Sequence, residues 1–181
     1  KPPEAMNPLL RELPGIDAVA IGDSPLRPDL PSFSKTRTVT ADAVSHELAI
    51  LTSSYPPGYL EALGVRVVAG RTLESGDITT AGVHPAVVTA TFAESLWPNS
   101  VAIGRQFSIA SRLQGQTYQI VGIVPDVVCY SLRSEPCATV FVASEPSPNA
   151  QATVGATFTI RTRGDAALLV EPVKRLASEI F

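Results

Sequence analysis

The 181-residue sequence predicts an α+β fold, a sheet packed against helices. Three observations carry that expectation. The elements run helix, strands, mixed middle, strands, helix, without the regular alternation of βαβ units. The stretch "GATFTIRTR" alternates cleanly, with Ala156, Phe158 and Ile160 on one side and Thr157, Thr159 and Arg161 on the other. Apolar stripes at helical spacing mark both ends of the chain: Met6, Leu9, Leu10 and Leu13 near the start, Leu169, Val173, Leu176 and Ile180 near the finish.

The first stripe defines a helix over Glu4–Leu13, with Pro8 in its opening turn, where a missing N–H is harmless. Pro14-Gly15 ends it. "IDAVAIG" is a strand. Asp23–Ser34 holds three prolines in polar surroundings and is a loop. "KTRTVTA" is a half-exposed strand and "HELAILTSS" a further one. Pro57 suits the first position of a short helix, "PGYLEAL", and Gly64 its stop. "VRVVAG" reads as extended and "RTLESGD" as a turn. "HPAVVTA" is a strand, and "TFAESLW" a short helix ended by Pro98. "IGRQFSIA" and "QTYQIVGIV" form a hairpin around a Gln-Gly turn. "ATVFVAS" precedes the clean alternating strand. Gly164-Asp165 then supplies a turn and an N-cap oxygen for the last helix. Pro172 lies inside its stripe, so it kinks the helix or delays its start.

Composition narrows the function. Hydrophobic residues make up 45% and charged residues 17%, a globular balance that buries roughly 70% of the unfolded surface at this length. The net charge of −3, with no Lys/Arg-rich run, argues against nucleic acid. No apolar run reaches the ~18–20 residues that span a bilayer. The opening "KPPEAMNPLL" is not a signal peptide. The chain starts without Met, as a mature secreted protein or a piece of a longer one would.

Motifs for chemistry are missing. His46 and His84 have no Cys or second His at ligand spacing, so no zinc motif exists. No GxSxG elbow marks a nucleophile, and "GVRVVAG" lacks the spacing of a phosphate loop. Glu74 and Asp77 share a solvated turn. Arg71 and Arg105 each follow a glycine, and a local salt bridge to Asp77 or Glu74 is their expected role. Gly122 in a strand points to close packing. Tyr55, Tyr59, Phe92 and Trp97 are expected in cores. Cys129 and Cys137 are either bridged across a short loop, at about 2.5 kcal/mol in the chain-entropy treatment, or separate buried thiols. Their spacing does not fit a CxxC site.

An ordered set of segments resembles a known family. "LRELPGIDAVA", "SSYPPGYLEALGVRVVAGRTL", "PAVVTATFAESLWPNSVAIGRQFSI", "YQIVGIVPDV" and "RTRGDAALLVEPVKRLASEI" occur in the order and spacing of the MacB-like periplasmic core domain of FtsX-like ABC transporter permeases. The likeness runs from about Leu9 onward and is greatest to the acidobacterial duplicated orphan permeases. Three positions depart from the pattern: Pro56 replaces a capping Ser or Thr, Thr89-Ala90 replaces Asn-Glu, and Pro172 replaces a helix former.

The resemblance implies two lobes: a porter-like α/β lobe over residues 1–54 and 137–181, and an inserted strand-rich, sabre-like lobe over 55–136. It implies a non-catalytic domain without metal or cofactor, cut from between two transmembrane helices of a bacterial cytoplasmic-membrane permease and facing the periplasm. ATP would belong to a separate ABC ATPase subunit. Partners would be the protein's own transmembrane helices and a periplasmic adaptor or lipoprotein. An oxidising periplasm favours the Cys129–Cys137 bridge. On this reading the domain couples helix motion to export or signalling, with its first and last helices as levers. An alternative is a ligand- or lipoprotein-binding module with a cleft lined by Tyr55, Tyr59 or Trp97. A hydrolase built around His46 or His84 is a third.

Overall fold

In a computed structural model the described residues are 6–21, 35–79, 81–110, 115–127, 137–145 and 158–180. In chain order the elements are α1 (Met6–Glu12), β1 (Ile16–Ile21), β2 (Lys35–Ala41), β3 (Val44–Tyr55), α2 (Tyr59–Ala62), β4 (Ala69–Gly70), β5 (Val83–Thr89), α3 (Ala90–Leu96), β6 (Gln106–Ile109), β7 (Gln116–Val124), β8 (Ala138–Ala143), β9 (Phe158–Thr162) and α4 (Val170–Ile180). The α+β class is borne out. The predicted loop over Asp23–Ser34, residues Ala156 and Thr157, Gln114 of the expected Gln-Gly turn, and Cys129 lie outside the described residues.

Two compact units form. One comprises Lys1–Ser24, Pro56–Val65 and Glu145–Phe181, the other Pro25–Tyr55 and Arg66–Ser144. These divisions differ from the expected lobe boundaries. β2, β3 and β8 belong to the strand-rich unit because their backbone pairings are there, while α2 packs on β1 and β9 in the α/β unit.

In the α/β unit, β1 and β9 pair antiparallel, with Val19 opposite Ile160. Met6 and Leu10 of α1 are buried with Ile16 and Val19. Leu9 falls off that stripe and is exposed. Gly15, at φ +90°, turns the chain from α1 into β1, a conformation only glycine adopts without strain. Across the cluster lie Phe158, Ile160, Leu169, Val173, Leu176, Ala177 and Ile180. Pro172 does delay the last helix. Asp165 accepts the Ala167 amide at 2.9 Å and caps a 3₁₀ turn over Ala166–Leu169. The α-helix starts only at Val170, so Pro172 falls in its first turn, where its lost N–H had no intrahelical partner.

The second unit is a hydrogen-bonded ring of six strands in the order β2-β3-β8-β5-β7-β6, with β6 pairing back onto β2 and β4 added on β7. β2 and β3 are joined by a two-residue hairpin turn in which Asp42 (φ 49°) and Ala43 (φ 64°) are both left-handed, as a type I′ turn requires. β3 pairs with β2 over its first half and with β8 over its second, and Ile50 belongs to both ladders. Inside the ring lie Val39, Ile50, Ala86, Val88, Phe107, Ile109, Ile120 and Val140, and α3 contributes Phe92, Ala93 and Leu96 to the same core.

Of "VRVVAG", only Ala69-Gly70 pairs as a strand, against Ile123 and Gly122 of β7. That pairing brings backbones unusually close. A Cβ on Gly122 would lie 2.0 Å from the Arg71 carbonyl oxygen and 3.2 Å from Val87. Gly122→Ala is therefore expected to destabilise the protein by about 2–3 kcal/mol, read as a lower urea midpoint; an unchanged midpoint would contradict the close approach.

Candidate functional site

The positions singled out by the sequence fall into several clusters, most of them structural. The first is the turn after β4. Arg71 donates from Nη1 and Nη2 to the two Asp77 oxygens, at 2.6 and 2.8 Å. Asp77 also accepts the Glu74 amide at 2.8 Å, closing a capping box over a 3₁₀ turn, and is itself buried. Arg71 thus meets the expected local partner. Its hydrogen bonds hold the Asp77 carboxyl below the usual carboxylate range; burial opposes them and the Glu74 amide assists them.

Arg105 does not find a local carboxylate. Its partner is Asp42, 63 positions away, at 2.7 Å. The same Asp42 oxygen accepts Trp97 Nε1 at 2.7 Å, and the guanidinium carbon lies 5.7 Å from the Trp97 ring centre. The hairpin tip, the end of α3 and the entry to β6 are so joined at one carboxylate. Nothing local in the sequence announces this pairing.

The departure at Thr89-Ala90 has a similar resolution. Thr89 precedes α3 in extended conformation but does not cap it. Its Oγ1 accepts the buried Thr139 amide at 2.9 Å instead. Asp126 takes over the cap, accepting the Thr91 amide at 2.8 Å and the Thr91 hydroxyl at 2.6 Å. Pro56 is met differently again. α2 starts at Tyr59, not at Pro57, because Gly58 is left-handed at φ 86°. The Tyr59 amide is taken by the Pro56 carbonyl at 3.2 Å. Gly64 ends that helix at φ +77°, with the Arg161 guanidinium above it, Nη1 donating to the Glu61 carbonyl at 3.3 Å.

The aromatics are largely core residues. Tyr59, Phe92 and Trp97 are 1%, 0% and 5% exposed, so two of the three residues expected to line a cleft are spent on packing. Tyr55 is half-buried, 6.3 Å from the Phe141 ring. His46 and His84 are half-buried on separate strands, and neither ring makes a hydrogen bond to a Ser, Thr or Cys among the described residues. No group of three His, Cys, Asp or Glu side chains suited to a metal ion occurs among them. Cys137 lies half-buried just before β8.

The remaining candidate is mechanical: the surface where α1 meets α4. Leu10, fully buried, and Met6 share one apolar cluster with Val173, Leu176 and Ile180. Arg11 fastens α1 to the sheet by donating to the Val19 carbonyl at 2.9 Å. Arg163 and Asp17 form an ion pair across the β1–β9 ladder. The first and last helices of the described chain are thus parts of one packed body. No helix among the described residues is long and apolar enough to cross a membrane.

Three solved structures share this fold. The periplasmic region of MacB from Actinobacillus actinomycetemcomitans superposes with a TM-score of 0.58 at 12% identity, over 98% of this chain and 73% of that one. The extracellular domain of the noncanonic ABC-type transporter YknZ from Gram-positive bacteria gives 0.55 at 15%, over 99% and 81%. A domain of a putative permease from Porphyromonas gingivalis gives 0.57 at 15%, over 96% and 75%. At these identities the likeness shows the fold. The sequence itself matches the MacB-like periplasmic core domain over residues 3–170, and the chain belongs to that family. No curated protein matches it.

The Arg71–Asp77 pair makes a pH prediction. A carboxyl whose folded pKa is depressed contributes stability above its ordinary value, near 3.8, and loses it as pH falls through the folded value. Asp77→Asn is expected to lower the urea midpoint at pH 6, with the gap to the parent protein narrowing below about pH 4. A gap of constant size from pH 6 to pH 3 would show that ionisation of Asp77 contributes nothing.

Proposed function

We propose that this domain is the non-catalytic, extracytoplasmic lever of an ABC-type permease. It faces the periplasm from a bacterial cytoplasmic membrane and couples movement of the permease's own transmembrane helices to substrate export or to signalling with a periplasmic adaptor or lipoprotein. ATP is bound and hydrolysed at a separate ABC ATPase subunit, and the domain itself needs no cofactor. The observation that carries this reading is the shared apolar cluster of α1 and α4. Two helices that pack as one body transmit a push at either end to the sheet between them, whereas loosely tethered ends would dissipate it. Family membership supports the setting. The alternative, a ligand- or lipoprotein-binding module, has less support, because Tyr59 and Trp97 are withdrawn into packing.

The test uses the intact permease with its ATPase subunit. Spin labels at the exposed positions Leu9 on α1 and Glu179 on α4 are expected to keep one separation with and without ATP. The distance from either label to a site on the ATPase subunit is expected to change. A fixed distance to the ATPase in both states, or an α1–α4 separation that varies with nucleotide, would overturn the lever.

An oxidising compartment also favours the Cys129–Cys137 bridge as part of this reading. Intact mass of the oxidised protein is expected two hydrogens below the reduced form, and Cys137→Ser to cost about 2.5 kcal/mol. Two free thiols in protein recovered from the periplasmic side would refute it.

A further inference from the structure

The ring of strands in the larger unit places an unusual set of side chains at one of its ends. β7 pairs parallel with β5 and antiparallel with β6, and β6 pairs antiparallel with β2. β2, β5 and β7 therefore run in the same sense, and their starts lie at the same end of the ring. Side chains alternate along a strand, so each start can be assigned a face from the buried residues that follow it. On β2, Val39 and Ala41 face the core, and Arg37 shares their side. On β5, Ala86 and Val88 face the core, and His84 shares theirs. On β7, Tyr118 and Ile120 face the core, and Gln116 precedes them on the same side.

The contacts agree with that placement. His84 and Tyr118 are register partners, with ring centres 5.8 Å apart. The Tyr118 hydroxyl donates to Gln116 Oε1 at 2.7 Å, so the phenol extends toward the end of the ring and leaves the Gln116 amide N–H groups to point elsewhere. Burial raises the Tyr118 pKa above its ordinary value, and the positive charge of Arg37 opposes that rise, which places the guanidinium within electrostatic reach of the phenol.

Arg37 is the anomaly. Arg11, Arg66, Arg71, Arg161, Arg163 and Arg175 are exposed, and only Arg37 and Arg105 are half-buried among the described arginines. Arg37 has no ion pair and no side-chain hydrogen bond there, whereas the half-buried Arg105 and the exposed Arg71 and Arg163 each hold a carboxylate. No Asp or Glu occupies an inward-facing position of the six strands among the described residues; Glu47 points outward and accepts from Thr38 at 2.6 Å. Partly desolvating a guanidinium without a counter-charge is costly, and a site that does so is matched to an anion from outside.

We propose that this end of the ring binds a small oxyanion, a carboxylate or phosphate group, with Arg37 as its forked anchor and His84 and the Gln116 amide as flanking donors. Arginine's planar fork fits both groups, since each presents two oxygens at matching separation. The site lies wholly in the strand-rich unit and is independent of the α1–α4 lever, so either can fail alone.

The test is a titration of the 181-residue chain with sodium phosphate and, separately, sodium acetate, followed by amide NMR shifts against sodium chloride at equal ionic strength. Saturable shifts centred on Arg37, His84 and Tyr118 are expected with an oxyanion and not with chloride. The anion that saturates at the lower concentration identifies which group the site is built for. Arg37→Gln is expected to weaken binding at least about tenfold, and His84→Gln, a milder change that keeps a donor, about threefold or less. Equal shifts with chloride, responses scattered over the surface, or parent affinity in a folded Arg37→Gln protein would overturn the site. Should Arg37→Gln not fold, Arg37→Lys decides: it keeps the charge but loses the fork, and unchanged affinity would remove Arg37 as the anchor.

Discussion

The larger unit depends on how the two edges of β7 are used. One edge pairs with β5 along its length, from Val83–Thr117 to Thr89–Val124. The other is divided: its first half pairs with β6 and its second half with β4. Because β6 in turn pairs with β2, this division closes the sheet on itself. Closure leaves β7 with no unpaired edge, and unpaired edges are where sheets recruit unwanted partners. It also requires backbone to approach backbone. A Cβ on Gly70 would meet the Val121 oxygen at 2.2 Å, as one on Gly122 would meet that of Arg71, so glycine is required on both sides of the contact.

Closure by backbone is reinforced by a few carboxylates placed far from their partners in sequence. Asp42 joins the hairpin tip to Trp97 and Arg105, and Asp126 caps α3. Each gives a turn or a helix end the oxygen its own neighbourhood lacks. In the α/β unit the binding element is apolar instead, a single cluster that unites α1, the two-strand ladder and α4. The proposed lever would need that unity at its ends, and the closed ring is fastened by polar contacts instead.

Local grammar was legible wherever one stretch of chain holds both partners of an interaction. The alternation of Phe158 and Ile160 with Thr159 and Arg161 gives β9, the Asp165 cap and Pro172 give the late start of α4, and Arg71 finds Asp77 six residues on. Gly122 was readable as a close-packing glycine, though not the atom it approaches. Illegible were the interactions whose partners lie tens of residues apart. Arg105 was expected beside a local carboxylate and found Asp42. The lobe boundaries were misplaced because β2 and β3 look the same in sequence whichever sheet they join. The polar end of the ring was invisible, since Arg37, His84 and Gln116 share a face only once three separate strands are brought into register.

By itself the sequence determined the α+β class, the identity of most elements, the exclusion of familiar catalytic and metal motifs, and, through an ordered set of turn and packing segments, the family. Those properties are written in periodicity, glycine and proline placement, and local order, which survive without tertiary contacts. Only the tertiary structure decided that six strands close into a ring, that Asp42 and Asp126 are its fastenings, that α1 and α4 share a core, and that one half-buried arginine is left without a counter-charge. Each of these is set by pairing between distant segments, and pairing distance is the one quantity that local pattern does not contain.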